Sequence, residues 1–138
     1  MTDVVLEAPA PGEYCALRVA AGLSPKDLAA AEVALPRSLH AVCLRDDGRL
    51  IAMGRVVGDG LHVQVVDIAV DPGHQGQGLS RLVMASIMGF LATLPRSTTV
   101  SLFADVDWLY GKFGFGEPES STGMMLRDWP APPPGAPE

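Results

Sequence analysis

The sequence predicts a single mixed α+β domain, and three observations carry that expectation. Three β-suited segments follow one another between Ser38 and Val70, separated only by the turn signals Asp46-Asp47-Gly48 and Gly58-Asp59-Gly60. From Leu79 the apolar period changes from that of a strand to that of a helix. A further β-suited run, Thr98 to Ala104, follows that helix. A strand reached through a helical crossover lies parallel to the one before it.

Asp3 to Glu7 opens the chain as a short strand, stopped by Pro9 and Pro11. Glu13 to Ala21, EYCALRVAA, suits a helix that Gly22 ends. Ser24-Pro25 reads as an N-cap with proline at the first helical position, opening a second short helix through Ala34 that Pro36 closes. Ser38 to Arg45, Leu50 to Val57 and Leu61 to Val70 then form an antiparallel meander. The next helix places Leu79, Leu82, Val83, Ser86, Ile87, Phe90, Leu91 and Leu94 on one face. Met84 and Met88 widen that face, so burial on more than one side is expected, and Pro95 ends the helix. A short helix, Asp107 to Phe113, precedes Gly114-Phe115-Gly116, and a last strand is expected near Gly123 to Arg127. One domain thus spans residues 1–128; the proline-rich 129–138, WPAPPPGAPE, is expected to be a disordered tail.

Composition narrows the function classes. With 48% hydrophobic and 19% charged residues in 138, the chain sits in the globular regime. No uncharged apolar run reaches the roughly 18 residues of a membrane span. MTDVVLEAP lacks the basic start and apolar core of a signal peptide, so a cytoplasmic protein without a membrane partner is expected. A net charge of -6 argues against a nucleic-acid partner, which needs a basic stripe, and permits a cationic substrate. Cys15 and Cys43 stand in apolar surroundings and read as buried free thiols. With His40, His62 and His74 scattered, no metal-ligand spacing can be assembled, and no metal is expected.

The chemistry concentrates in DPGHQGQGLS, Asp71 to Ser80. A Walker loop needs GxxxxGK, and no lysine is present; a dinucleotide fingerprint needs GxGxxG, and Arg81 stands at its third glycine. What remains is a strand, a glycine turn and a helix N-terminus. Glycines let a ligand approach the backbone, and the first N–H groups of a helix attract an anion such as a pyrophosphate. Glycine used for tightness alone explains the same residues.

Three segments in order break the tie. Gln75-Gly76-Gln77-Gly78-Leu79-Ser80 resembles the acetyl-CoA loop Gln/Arg-x-x-Gly-x-Gly/Ala of the GCN5-related N-acetyltransferase (GNAT) family, with Gln75 and Gly78 matching and Ser80 departing. DIAVDPGH resembles the family's fourth strand, and Leu109 to Phe115, LYGKFGF, its Leu-Tyr-x-x-x-Gly-Phe segment. The resemblance runs from the first strand to about Arg127. It implies a central mixed, splayed, mostly antiparallel sheet with helices on both faces. It also implies acetyl-CoA as co-substrate: backbone groups of Gln75, Gly76, Gln77, Gly78, Leu79 and Ser80, with Arg81 beside them, would hold the pyrophosphate. Ile68, Ala69 and Val70 would offer backbone groups to the pantetheine arm and the thioester oxygen. Ser80 is a small substitute whose hydroxyl can reach a phosphate or cap the helix. His74 is a further candidate for the phosphates.

The implied reaction is direct attack of an amine, on a small molecule or a protein, upon the thioester. Tyr110 occupies the place of the family's general acid. Because a phenol with pKa about 10 is a weaker acid than a thiol at about 8.5, hydrogen bonding to the sulfur is its expected contribution; packing is the plainer alternative. Asp67 is the acidic residue within the fourth strand. Alternation puts it opposite Val66 and Ile68 unless a bulge re-aims it, and it is the candidate base, through a water, or else a structural partner for an arginine. The segment ADVDWLY is short for the family, with Phe103 where relatives carry Asn or Asp, which leaves roles for Asp105 and Trp108 open. A non-catalytic acyl-CoA-binding sensor is the alternative function. The acceptor is not written in the sequence, and a homodimer is compatible with the family.

Overall fold

The computed structural model describes residues 2–105 and 107–135; the side chains of Asp107 and Trp108, and with them any part played by Trp108, lie outside the described set. The chain runs β1 (Thr2–Val5), α1 (Pro11–Ala20), α2 (Leu28–Ala34), a 3-10 turn (Leu35–Arg37), β2 (His40–Asp46), β3 (Arg49–Gly58) and β4 (His62–Val70). A second 3-10 turn (Pro72–His74), α3 (Leu79–Leu91), β5 (Thr99–Ser101) and α4 (Asp107–Gly111) follow. The five strands form one sheet in the order β1-β2-β3-β4-β5. The first three pairings are antiparallel and β4–β5 is parallel, as a helical crossover requires.

Alternation along the strands sends side chains into two cores. Val42, Leu44, Val56, Val63 and Val65 meet Leu79, Val83, Met84 and Ile87 of α3 on one face. Cys43, Met53 and Ala69 meet Tyr14 and Leu17 of α1, Ala31 of α2 and Leu35 on the other. The β2–β3 hairpin closes through Asp47 and Gly48, both at positive φ, the geometry that a twisted two-residue turn demands.

Several expectations shift in the folded chain. The N-cap of α2 is Asp27, which accepts from the Ala30 N–H at 2.8 Å, because Arg18 has taken Ser24: its Nε donates to the Ser24 carbonyl and its Nη2 to the hydroxyl. Met84 is buried in α3 whereas Leu82 is 46% exposed, so the apolar stripe is rotated from the one expected. Cys43 is buried, and burial pushes its thiol up to about 11; Cys15 is only half-buried. No strand forms at Gly123 to Arg127, where Met124, Met125 and Leu126 lie exposed without a ladder partner. Apolar sequence makes a strand only where a neighbouring edge receives it.

One irregularity positions the site. Met53 pairs with Ala69 and Arg55 with Val66, so Asp67 and Ile68 of β4 together face Gly54 of β3. This is a β-bulge, and Asp67 takes φ of 61° to make it. Alternation is reset there: Val65 and Ile68 both contact the α3 core, while Asp67 lies on the α1 side with Ala69. Gly54 is the other half of the device. A Cβ at Gly54 would sit 2.5 Å from Val83 Cγ1 and 2.7 Å from Ile68 Cδ1. Gly54→Val is therefore expected to destabilise the fold by about 1–3 kcal/mol through overpacking, read as a lowered urea midpoint at constant m. A midpoint equal to wild type would show that α3 yields without cost.

Candidate active site

The parallel β4–β5 ladder spans only His62↔Thr99, Val63↔Val100 and Gln64↔Ser101. Beyond Gln64 and Ser101 the strands part, which is why β5 ends earlier than the β-suited run suggests. A small cleft of about 100 Å³ opens there, lined by Val65 to Ile68 on one side and Leu102, Phe103 and Asp105 on the other, with Tyr110 and Arg18. The Asp71 N–H donates to the Ile51 carbonyl at 2.7 Å, toward β3. Period-two alternation then turns the Val70 N–H the other way, toward the side where β4 has no partner, with Ile68 two residues earlier on the same edge.

The glycine loop lies immediately after β4. Asp71 accepts from the Gly73 N–H at 3.1 Å and from His74 Nδ1 at 2.9 Å, tying the 3-10 turn to the strand end. His74 is thereby engaged, and its proton lowers the Asp71 pKa. Gly76 and Gly78 have φ of 82° and 75°, the left-handed region that glycine enters without a steric penalty. A Cβ at either would meet nothing within 4 Å, so packing does not ask for glycine here; open space lies over the loop. Gly78 is the N-cap of α3 and supplies no side-chain cap, and neither does Ser80, which sits in the first turn. Among the described residues no side chain caps the first N–H groups of this 13-residue helix, which lie beside exposed Arg81.

Asp67 stands at the centre of a buried polar cluster. Arg18 Nη1 donates to Asp67 Oδ1, and Arg55 Nε donates to Oδ2 at 2.7 Å. Arg18, Arg55 and Asp67 are 7%, 8% and 9% exposed. The Arg55 guanidinium stacks 5.5 Å from the Tyr14 ring centroid. Burial, then the Asp67 charge and its hydrogen bond, raise the Tyr14 pKa above the ordinary phenol range. Arg18, Arg55 and Tyr14 thus surround Asp67 beside the cleft, although no motif in the sequence marks them. Their signal is an arginine inside an apolar run, ALRVAA and MGRVV, since a buried charge must find a partner.

Tyr110 is half-buried beside the cleft, and burial first, then the Asp105 charge, raise its pKa. It stays a protonated donor through the neutral range. Asp105 makes no ion pair among the described residues. On the Tyr110 side a larger hollow of about 1080 Å³ continues from Leu102 and Asp105 to Phe115 and Pro118. Among the described residues no cluster of three metal-ligating side chains occurs, and no helix is long and apolar enough to cross a membrane.

Comparison with known proteins places this architecture. Residues 37–117 match the family model described as an acetyltransferase (GNAT) domain. The crystal structure of SA2161 from meticillin-resistant Staphylococcus aureus, a protein of unknown function given as a "Probable Acetyltransferase", is 46% identical, with a TM-score of 0.86 over 94% of this chain and 100% of that one. The GNAT family protein SP0256 from Streptococcus pneumoniae is 25% identical, with a TM-score of 0.76 over 93% and 98% of the two chains. The histone acetyltransferase TAP1 of Glycine max is 35% identical over 64% of this chain, which spans 40% of that protein's length.

Proposed function

The chain belongs to the GNAT acetyltransferase family, and we propose that it transfers an acetyl group from acetyl-CoA directly to an amine. The observation that carries the reading is the conjunction at the end of β4. A cleft between parting strands, an uncapped helix N-terminus behind two glycines in open space, and a protonated tyrosine meet there. These residues fit the co-substrate. The loop from Gln75 to Ser80 would hold the pyrophosphate with backbone N–H groups and Arg81 with its charge. The free edge at Ile68, Ala69 and Val70 would align the pantetheine and donate to the thioester oxygen. Bound acetyl-CoA supplies an activated acyl group and a thiolate leaving group.

The protein's own groups divide the remaining work. Tyr110 would donate its hydroxyl proton as a hydrogen bond to the sulfur. Both Asp67 oxygens are held by arginines, which suits it to fixing the cleft wall more than to accepting a proton. Asp105 lines the cleft with no ion-pair partner among the described residues and would receive the acceptor ammonium, which gives its proton to water.

Thiol release from acetyl-CoA across a panel of amines tests the reading. Saturable, amine-dependent release is expected; tight CoA binding with no turnover on any amine would favour a sensor instead. In the same assay Tyr110→Phe should lower kcat by about 100-fold with the amine KM held within about two-fold. The wild-type alkaline limb should fall above 10, the ordinary tyrosine value, because burial raises this phenol. A kcat within about three-fold of wild type would reduce Tyr110 to packing.

A further inference from the structure

We propose that the groove between α2 and the end of β3 binds an acidic group of the acceptor, so that the acceptor is an amine carrying a carboxylate on an apolar arm. The inference rests on the acetyltransferase reading above and narrows its substrate class. The groove, about 440 Å³, is walled by Ala30 and Val33 of α2 and Val57 of β3, and its polar groups are Arg37 and Arg55. Among the described residues its lining includes no carboxylate.

Arg55 gives the groove a built anion partner. It is 8% exposed, donates Nε to Asp67 and Nη1 to the Ser38 hydroxyl at 2.8 Å, and has no acceptor for Nη2 among the described residues. No fully buried side-chain nitrogen or oxygen in the described residues lacks a partner, so this Nη2 is not sealed in the core, and Arg55 is among the residues that line the groove. Arg37, at the end of the 3-10 turn, is exposed and forms no ion pair among the described residues. Arg18, Arg55 and Asp67 already hold two cations against one anion, so an incoming carboxylate completes the balance. Guanidinium forks match a planar carboxylate, and the alanine and valine walls suit the carbon arm.

Position links the groove to the reaction. Arg55 pairs with Val66 across the β3–β4 ladder, and Val66 lines the cleft beside Tyr110. Adjacent strands are about 4.8 Å apart, so the groove wall at Arg55 and the cleft wall at Val66 lie one strand spacing from each other. A chain of a few methylenes spans that.

The test is a calorimetric titration of the CoA-loaded protein with 5-aminopentanoate and with pentylamine, alongside acetylation of each. We expect about ten-fold tighter binding of 5-aminopentanoate, and a collapse of that preference toward parity in Arg37→Glu, whose exposed side chain supports no described contact. Equal affinities in the wild type, binding of neither amine included, or a preference that survives Arg37→Glu, would overturn the assignment. Binding preference with no thiol release on any amine of the panel would refute the acetyltransferase reading while retaining the groove; equal acetylation of both at equal KM would do the reverse.

Discussion

Asp67→Asn is expected to cost about 3–5 kcal/mol of unfolding free energy. Asparagine keeps the volume and tolerates the positive φ of 61° that the bulge imposes, so backbone strain does not confound the outcome. What it removes is the anion between Arg18 and Arg55, leaving two buried guanidinium groups to repel each other with no counter-ion. Desolvating an unpaired charge is far more costly than losing a surface ion pair, which is worth about 0–1 kcal/mol. Urea unfolding followed by circular dichroism reads the loss as a lowered midpoint with m unchanged. A loss below about 1 kcal/mol would mean that the arginines find other acceptors, and that Asp67 is not the hub of the cluster.

Gly78→Glu should abolish CoA binding with the fold retained. The new Cβ meets no atom within 4 Å, and the φ of 75° charges an L-residue about 1–2 kcal/mol. A carboxylate at the N-terminus of α3 also repays part of that through the helix dipole. For a pyrophosphate the same carboxylate is ruinous: it occupies the open space over the loop and sets like charge against like. A loss of at least about 100-fold in CoA affinity is expected, equivalent to about 2.7 kcal/mol, with the urea midpoint falling only as far as the strain requires. Gly78→Ala separates the terms, since it carries the strain without the charge and should lose much less affinity. CoA binding within about three-fold of wild type in Gly78→Glu would remove the loop from the phosphate site.

The readable parts of this protein were those written in local code. Asp47-Gly48 demanded a tight hairpin because glycine and aspartate tolerate positive φ. The change of period at Leu79 marked the crossover helix, and that helix forced β5 to run parallel to β4. The loop from Gln75 to Ser80 and the LYGKFGF segment identified the family because their order along the chain is itself a sequence property.

The less readable parts depended on competition between distant groups. Ser24 had the chemistry of an N-cap, yet Arg18 claimed it and Asp27 capped α2 instead. Met124 to Leu126 had the composition of a strand but found no edge to join. Asp67 was visible as a lone acid in an apolar strand. That both its oxygens are held by arginines from α1 and β3 emerged only once three elements packed together. The sequence alone determined most of the elements, their order and the glycine loop ahead of α3, because helix period, turn chemistry and glycine torsion act over a few residues. Only the tertiary structure decided which groups hold Asp67, where β4 and β5 separate and which groove lies beside them. Those depend on a one-residue bulge opposite Gly54, and on which buried charge reaches which partner.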